Sequence, residues 1–189
     1  YYDALFRPVL TDTYGGSFNA TTLRNYDWKS EPTFESYPNS SPLNFTTTTS
    51  AIKGIYTSYD ALERLKQVDQ DSELGTLSTK TEYLSSASVR TTDPKTYVTT
   101  RSYQVFDQPS YDAVIKVVAP EGVNQAITRD VYGNPTAIRQ YGSSGAWSGD
   151  ITKSLAYDSF YRLCRTTEPE SGSTVTHYDG ANNVDWTVQ

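Results

Sequence analysis

The 189-residue chain has no methionine, one cysteine and one histidine. The single cysteine, Cys164, excludes an internal disulfide and any metal site built from several cysteines. There is no run of about 18 apolar residues, so we expect no membrane insertion. The N-terminal residues also lack the pattern of a secretory signal peptide. Because the chain has no start methionine, we expect it to be a fragment of a longer polypeptide.

Positive charge is scarce and scattered. The chain has 16 Lys and Arg against 22 Asp and Glu, a net charge of −6. Nucleic acids and anionic membranes are bound by clustered positive charge, so we expect no nucleic-acid partner. Hydrophobic residues make up only 36% of the chain, whereas tyrosine occurs 16 times. Tyr and Thr favour strands, so this composition indicates β-structure with thin packing.

A Tyr-Asp pair recurs along the chain. The heptapeptide Tyr157–Leu163 (YDSFYRL) is repeated with small changes at 59–65 (YDALERL) and 2–8 (YDALFRP). Aligned on the tyrosine, eight repeats start near residues 2, 26, 59, 83, 103, 129, 157 and 178. The residues that define them are Tyr2, Asp3, Tyr26, Asp27, Tyr59, Asp60, Arg64, Tyr103, Asp130, Gly133, Tyr157, Asp158, Arg162, Tyr178, Asp179 and Gly180. Such recurrence indicates a single repeat array over residues 1–189.

Each repeat has the pattern of one hairpin. Polar and apolar residues alternate before the tyrosine, as in 79–83, 97–103 and 174–178, and such alternation is typical of strands. Asp, Asn and Gly then supply a turn, and a second strand follows, as in 135–139 and 163–167. We therefore predict an all-β fold of antiparallel β-hairpins that form a continuous spiralling sheet or a section of a β-shell.

Some segments fit this pattern less simply. Residues 60–68 also have helical spacing, but their alignment with the other repeats favours strand–turn–strand. Gln108 and Pro109 are aligned as the fifth and sixth residues after Tyr103. Asp93-Pro94 is interpreted as a turn between repeats. Residues 33–50 and 141–150 are interpreted as the longest loop insertions in the array.

The pattern Tyr-Asp-x-x-x-Arg-Leu, with Asp-Pro or Pro-Glu-Gly between copies, resembles the Rhs (rearrangement hotspot) or YD-repeat family over essentially the whole chain. The family commonly has glycine just before the Arg or Asn. Here Gly133 alone fills that place, and other residues replace it at Phe6, Ser30, Glu63, Ala87, Asp107, Tyr161 and Asn182.

The resemblance implies a long β-sheet that spirals into a hollow shell. In bacterial members the shell encloses a C-terminal toxin, and the proteins are secreted or displayed at the cell surface. Related animal proteins use the shell in cell adhesion. The self-cleaving segment and the toxin of such carriers are not found in these 189 residues.

Few residues suggest catalysis. His177 is predicted on a strand surface, and Cys164 as a half-buried packing residue. A serine hydrolase would need a Gly-x-Ser-x-Gly turn, which the chain lacks. Acidic pairs suited to a glycosidase occur at Asp69/Asp71, Glu168/Glu170 and Asp150 near Asp158, but nothing distinguishes one pair from the others.

The spacing of Asp69, Asp71 and Glu73 leaves a calcium site open, although it has no central glycine. Because no catalytic group stands out in the sequence, we expect a non-enzymatic chain without a cofactor. A glycoside hydrolase is the weakest alternative.

The aromatic residues leave two interpretations open. Trp147 lies in a Gly/Ser loop and Tyr141 near it, where both are candidates for stacking on a carbohydrate. The tyrosines of the repeats are instead expected to form cross-strand ladders. A structural scaffold is thus the first hypothesis and an extracellular carbohydrate or cell-wall binding module the second. Expected partners are the rest of the polypeptide, or copies of the chain, joined through open sheet edges.

Overall fold

The computed structural model describes residues 1–15, 18–41, 43–44, 51–105, 110–142 and 149–189. Fifteen strands are antiparallel neighbours in sequence order, which confirms the predicted all-β hairpin fold. They are β1 (Leu10–Gly15), β2 (Phe18–Tyr26), β3 (Pro32–Ser36), β4 (Gly54–Tyr59), β5 (Leu65–Ser72), β6 (Gly75–Leu84), β7 (Ser88–Thr92), β8 (Val98–Tyr103), β9 (Val114–Val118), β10 (Val123–Arg129), β11 (Pro135–Gly142), β12 (Asp150–Tyr157), β13 (Leu163–Glu168), β14 (Gly172–Tyr178) and β15 (Val184–Val188). The described residues include no helix that is long and apolar enough to cross a membrane.

The contacts divide the described chain into two bodies. The first body comprises Tyr1–Glu82 and Thr91–Thr96, and the second comprises Tyr83–Arg90 and Tyr97–Gln189. The first body contains a small hydrophobic core. Its buried members, listed in chain order, are Leu10, Leu23, Phe34, Leu43 and Ile52, with Tyr56 packed against them.

The core depends on close contact between β3 and β4. The rings of Phe34 and Tyr56 lie 4.6 Å apart. Gly54 is required beside them, because a Cβ at this position would lie 2.3 Å from the Glu35 carbonyl oxygen and 2.7 Å from the Phe34 ring. Backbone and ring thus meet where no larger residue fits.

The second body has little hydrophobic core. Among its described residues, Val89 is the one buried hydrophobic side chain, at 8% exposure. Cross-strand ion pairs cover part of its surface instead, including Arg139 with Asp150 and Lys153 with Glu168. This arrangement fits a polar sheet that is wet on both faces.

The structure corrects several boundaries expected from the sequence. Residues 33–36, expected within the longest interruption, belong to β3, which pairs with β2 and β4. Tyr103 pairs with Val114 rather than with Pro109, so this repeat has a longer loop, of which residues 106–109 lie outside the described part. Residues 141–142 end β11 and Asp150 begins β12.

The segment 60–68 is strand–turn–strand, as predicted. Tyr59 of β4 pairs with Leu65 of β5 across a tight turn at residues 60–64. The helix-forming residues therefore adopt an extended conformation, because pairing with the neighbouring strand overrides their local preference.

Candidate functional site: the Tyr-Asp turns

The Tyr-Asp pairs form one recurring turn. In the repeat at Tyr157, the Asp158 N–H donates to the Arg162 carbonyl at 2.9 Å, and the Tyr161 N–H donates to the Asp158 carbonyl at 3.0 Å. The same two backbone bonds occur at Asp3, Asp27, Asp60, Asp130 and Asp179. The chain therefore reverses direction in the same way at each of these repeats.

The aspartate side chain holds the turn from within. Asp158 Oδ1 accepts the N–H groups of Phe160 at 2.9 Å and Arg162 at 3.0 Å. Its Oδ2 accepts the Arg162 Nε–H at 2.7 Å. Aspartate suits this role because its short carboxylate reaches the backbone two residues ahead. Both oxygens are thus engaged within the turn.

The turns at Asp3, Asp60, Asp130 and Asp179 keep this pattern with either arginine or asparagine as the side-chain donor. Arg7 and Arg64 donate to Asp3 and Asp60. Asn134 and Asn183 donate to Asp130 and Asp179. Hydrogen bonds from the Arg64 side chain and from its backbone hold the pKa of Asp60 below the usual value of 3.8.

The residue before the Arg or Asn has a left-handed backbone whether or not it is glycine. Its φ is 88° at Gly133, 60° at Phe6 and 61° at Tyr161. Positive φ also occurs at Ser30, Glu63, Ala87 and Asn182, while Asp107 lies outside the described residues. Each non-glycine residue in this region costs about 1–2 kcal/mol. The hydrogen bonds of the turn therefore impose the conformation.

A further turn of similar form lies at Asp93-Pro94, between two repeats. Thr96, at a φ of 69°, donates its N–H to the Asp93 carbonyl, and Asp93 Oδ1 accepts the Lys95 N–H. The segment Asp93-Pro94 is thus a turn that shares two hydrogen bonds with the Tyr-Asp turns, although no tyrosine precedes it. The aspartate, whose carboxylate bonds to the backbone two residues ahead, is the sequence signal for this turn.

Neighbouring repeats are joined through the tyrosine hydroxyl. In four repeats the tyrosine hydroxyl donates to the carbonyl of the residue that lies six positions after the tyrosine position of the preceding repeat. These bonds are Tyr26 to Pro8 (2.9 Å), Tyr59 to Pro32 (3.1 Å), Tyr157 to Pro135 (3.0 Å) and Tyr178 to Leu163 (3.0 Å). These four tyrosines thus join repeats through a hydroxyl-to-backbone bond, whereas the sequence led us to expect a ladder of their rings.

Arg129 makes the same link without a tyrosine. It stands at the tyrosine position of its repeat, and its Nε and Nη2 donate to the Val114 carbonyl at 3.3 and 3.2 Å. Val114 pairs with Tyr103, so it occupies the position that Pro135 or Leu163 occupies elsewhere. The link therefore requires a donor of sufficient reach rather than a phenol.

Arginines of the turns add a second link. Arg162 Nη1 donates to the Asp179 carbonyl at 3.2 Å and to Asn182 Oδ1 at 2.8 Å, and its guanidinium lies 4.7 Å from the Tyr178 ring centroid. Arg7 makes the matching contacts with Asp27, Ser30 and Tyr26. The Tyr, Asp and Arg side chains of these turns are therefore engaged in structural contacts within and between the turns.

The other candidates for chemistry lie apart from this row of turns. His177 is exposed on β14, stacks on Trp186 at 5.3 Å and has its Nδ1 3.2 Å from Asp185 Oδ2. Cys164 is half-buried, with its Sγ 3.4 Å from the Ala156 carbonyl. Both positions match those expected from the sequence.

Each acidic pair has at least one member bonded to a local donor. Asp69 accepts from Gln67 and Ser78, and Asp71 Oδ2 accepts the Gly54 N–H at 3.1 Å. Glu168 binds Lys153 Nζ at 2.6 Å, and Asp150 binds Arg139. The described residues contain no group of three or more His, Cys, Asp or Glu that could hold a metal ion.

The structure directs attention to a different aromatic residue. Trp147 lies outside the described residues, and the Tyr141 ring is covered by the Arg139 guanidinium at 4.8 Å. Trp28, in contrast, is 85% exposed and borders a groove of about 530 Å³ in the first body. Its place directly after the turn aspartate, Asp27, is the sequence signal that could have identified it.

Comparison with known proteins supports the fold. No family model matches the sequence, and no curated protein matches it. The chain is similar to a solved structure titled "Crystal Structure of TcdB2-TccC3-Cdc42", with a TM-score of 0.64 and 14% identity. The similarity covers 89% of this chain and 9% of that chain, so this chain spans about a tenth of its length. The present chain therefore shares its antiparallel β-sheet fold with part of that structure.

Proposed function

We propose that this chain is a non-catalytic structural scaffold, a section of an Rhs/YD-repeat β-shell in a secreted or surface bacterial protein. The shell would be of the toxin-enclosing or cell-contact type. The observation that carries the proposal is the tyrosine link, in which one repeat bonds to the backbone of the repeat before it. Because the carbonyl that accepts this hydrogen bond belongs to the neighbouring repeat, the bond favours the addition of one repeat to the next along the sheet.

The sheet edges provide the contacts to partners in this proposal. The β15 residues Val184, Trp186 and Val188 are all exposed. A strand that presents apolar side chains and free backbone groups is a template for pairing with another strand. Its partner is a further strand of the same polypeptide or a second copy of the chain.

Sedimentation velocity of the 189-residue chain over a range of concentrations tests the edge contacts. We expect reversible self-association that strengthens with concentration. A Val188→Lys variant should weaken it, because a charge on the edge opposes strand pairing. A folded chain that remains monomeric at every concentration contradicts edge pairing.

A glycosidase assay tests the non-catalytic part of the proposal. Chromogenic glycosides incubated with the chain should release no more product than buffer does. Turnover that disappears when Glu168 or Asp150 is changed to its amide would show that the scaffold assignment is wrong.

A further inference from the structure

A groove in the first body lies between the turn at Asp27 and the turn at Asp60. Its volume of about 530 Å³ falls within the range of about 300–1,000 Å³ that is typical of small-molecule clefts. The turns contribute Trp28, Lys29 and Glu63 to its lining, and the strands contribute Thr33, Thr57 and Ser58. We call this the Trp28 groove. It combines an exposed aromatic ring with hydroxyl-bearing residues of β3 and β4.

One face of the Trp28 ring is contacted by a lysine, and the residue remains largely exposed. Lys29 Nζ lies 5.1 Å from the ring centroid and forms a 2.7 Å ion pair with Glu63 of the next turn. The ion pair thus connects the two sides of the groove and restrains the lysine that contacts the ring. Because Trp28 remains 85% exposed, its ring is available to a ligand and contributes little to the core.

Asp27 differs from the other turn aspartates in one respect. Its Oδ1 accepts the N–H groups of Lys29 and Glu31 at 2.8 and 2.9 Å, as in the other turns. Where those turns have Arg or Asn to bind Oδ2, however, this repeat has Glu31, which has no hydrogen to donate when ionised. Within the described part of the chain, no donor bonds to Asp27 Oδ2. A carboxylate oxygen is therefore left free at the lining of the groove.

We propose that the Trp28 groove binds a neutral oligosaccharide. A sugar ring presents an apolar face of C–H groups and an edge of hydroxyl groups. Trp28 offers a flat ring for the face, and Asp27 Oδ2 accepts hydrogen bonds from the edge. Thr33 and Thr57, which share one face of β3 and β4, supply further hydroxyls that both donate and accept.

The charges of the groove favour a neutral ligand. Asp27, Asp60 and Glu63 outnumber Lys29 in the lining, so an anionic glycan meets repulsion. The contact of Lys29 with Trp28 already supplies the ring with a cation, which disfavours a second ammonium group. The proposal does not depend on the scaffold function, since it concerns two neighbouring turns rather than the sheet as a whole.

Titration calorimetry of the 189-residue chain tests this site. The probes are maltotriose, cellotriose, mannotriose and N,N′,N″-triacetylchitotriose, with sialyllactose and tetramethylammonium as charged contrasts. We expect at least one neutral probe to bind and neither charged probe to bind as tightly. Trp28→Ala should weaken binding by about tenfold or more, the value of one lost aromatic contact.

Two variants separate binding from folding. Asp27→Asn retains an oxygen for the turn but replaces the free acceptor by a donor, so binding should fall roughly tenfold while the melting temperature changes little. Val131→Ala is the matched control, because Val131 holds the same turn position after Asp130 and is 83% exposed. It should bind as the unchanged chain does. The proposal is overturned if no neutral probe binds, if a charged probe binds best, or if Trp28→Ala leaves affinity unchanged.

Discussion

At the scale of single residues, the turn imposes its conformation on side chains that do not favour it. Phe6 and Tyr161 have the same left-handed backbone as Gly133. A left-handed conformation places Cβ too close to a carbonyl oxygen, which is why glycine is preferred there. The network of bonds around the aspartate offsets this cost.

Replacing Phe6 by glycine should therefore stabilise the chain. Phe6 is 86% exposed, so the loss of its ring costs little burial. We expect the free energy of unfolding to rise by about 0.5–1 kcal/mol, the relief of strain minus the added freedom of the unfolded chain. Chemical denaturation measures the change. Leu5→Gly, one residue earlier at ordinary φ, is the control and should destabilise; a gain in both variants would contradict the explanation.

Asp60 should make stability depend on acid pH. Folding lowers its pKa, so its contribution is complete above the unfolded-state value of about 3.9 and is lost as the pH falls through the lower folded-state value. Asp60→Asn should be less stable than the unchanged chain at neutral pH, and the difference should shrink in acid. Denaturation at a series of pH values measures this. Arg64→Ala, which removes the side-chain donor and its charge, should flatten the same part of the profile, and an unaltered slope would contradict the assignment.

At the scale of elements, the repeat is a hairpin with a built-in connection to its neighbour. The turn is closed by its aspartate, and the tyrosine before it bonds to the preceding repeat. These two functions lie on adjacent residues, which explains why Tyr and Asp occur as a pair. Packing between hairpins is thus supplemented by a directed hydrogen bond.

Tyr157→Phe tests this connection. The variant keeps the ring but removes the hydroxyl that donates to the Pro135 carbonyl at 3.0 Å. We expect a loss of about 1 kcal/mol in the free energy of unfolding, the usual value of one hydrogen bond. Tyr14→Phe is the control, because Tyr14 is an exposed tyrosine outside the repeats. Equal effects of the two variants would show that the hydroxyl bond contributes nothing specific.

At the scale of the whole molecule, the two bodies are stabilised by different means. The first body has a core around Phe34, which is 3% exposed. The described part of the second has Val89 as its one buried hydrophobic side chain and depends more on cross-strand pairs and turn links. Hydrophobic burial and hydrogen bonding thus contribute in different proportions along one type of sheet.

Phe34→Ala should act on the first body alone. Truncation of a buried phenylalanine costs about 3–5 kcal/mol. Hydrogen exchange should show loss of protection in β2, β3 and β4, whereas β12 to β14 retain theirs. Phe160→Ala, which truncates an exposed phenylalanine, is the control. Equal loss of protection in both bodies would contradict independent stabilisation.

The strands and turns that depend on a local sequence pattern could be predicted from the sequence. Alternation identified segments of β6, β8 and β14, and the alignment on tyrosine placed the turn at Asp60 against a helical signal. It could not predict that Tyr103 pairs with Val114, because the loop between them carries no local marker of its length. The bond from Tyr157 to Pro135 was also missed, since it joins residues 22 positions apart.

Arg129 shows how such a protein can change without losing its architecture. A guanidinium and a phenol differ in charge, shape and acidity, yet both reach the same carbonyl. The architecture therefore depends on whether a side chain is long enough to reach the carbonyl and can donate a hydrogen bond. The amino-acid type at this position can change while the bond is kept. A comparison that requires the same amino acid in every repeat misses such repeats. A comparison of the hydrogen bonds would count Arg129 and Tyr157 as equivalent.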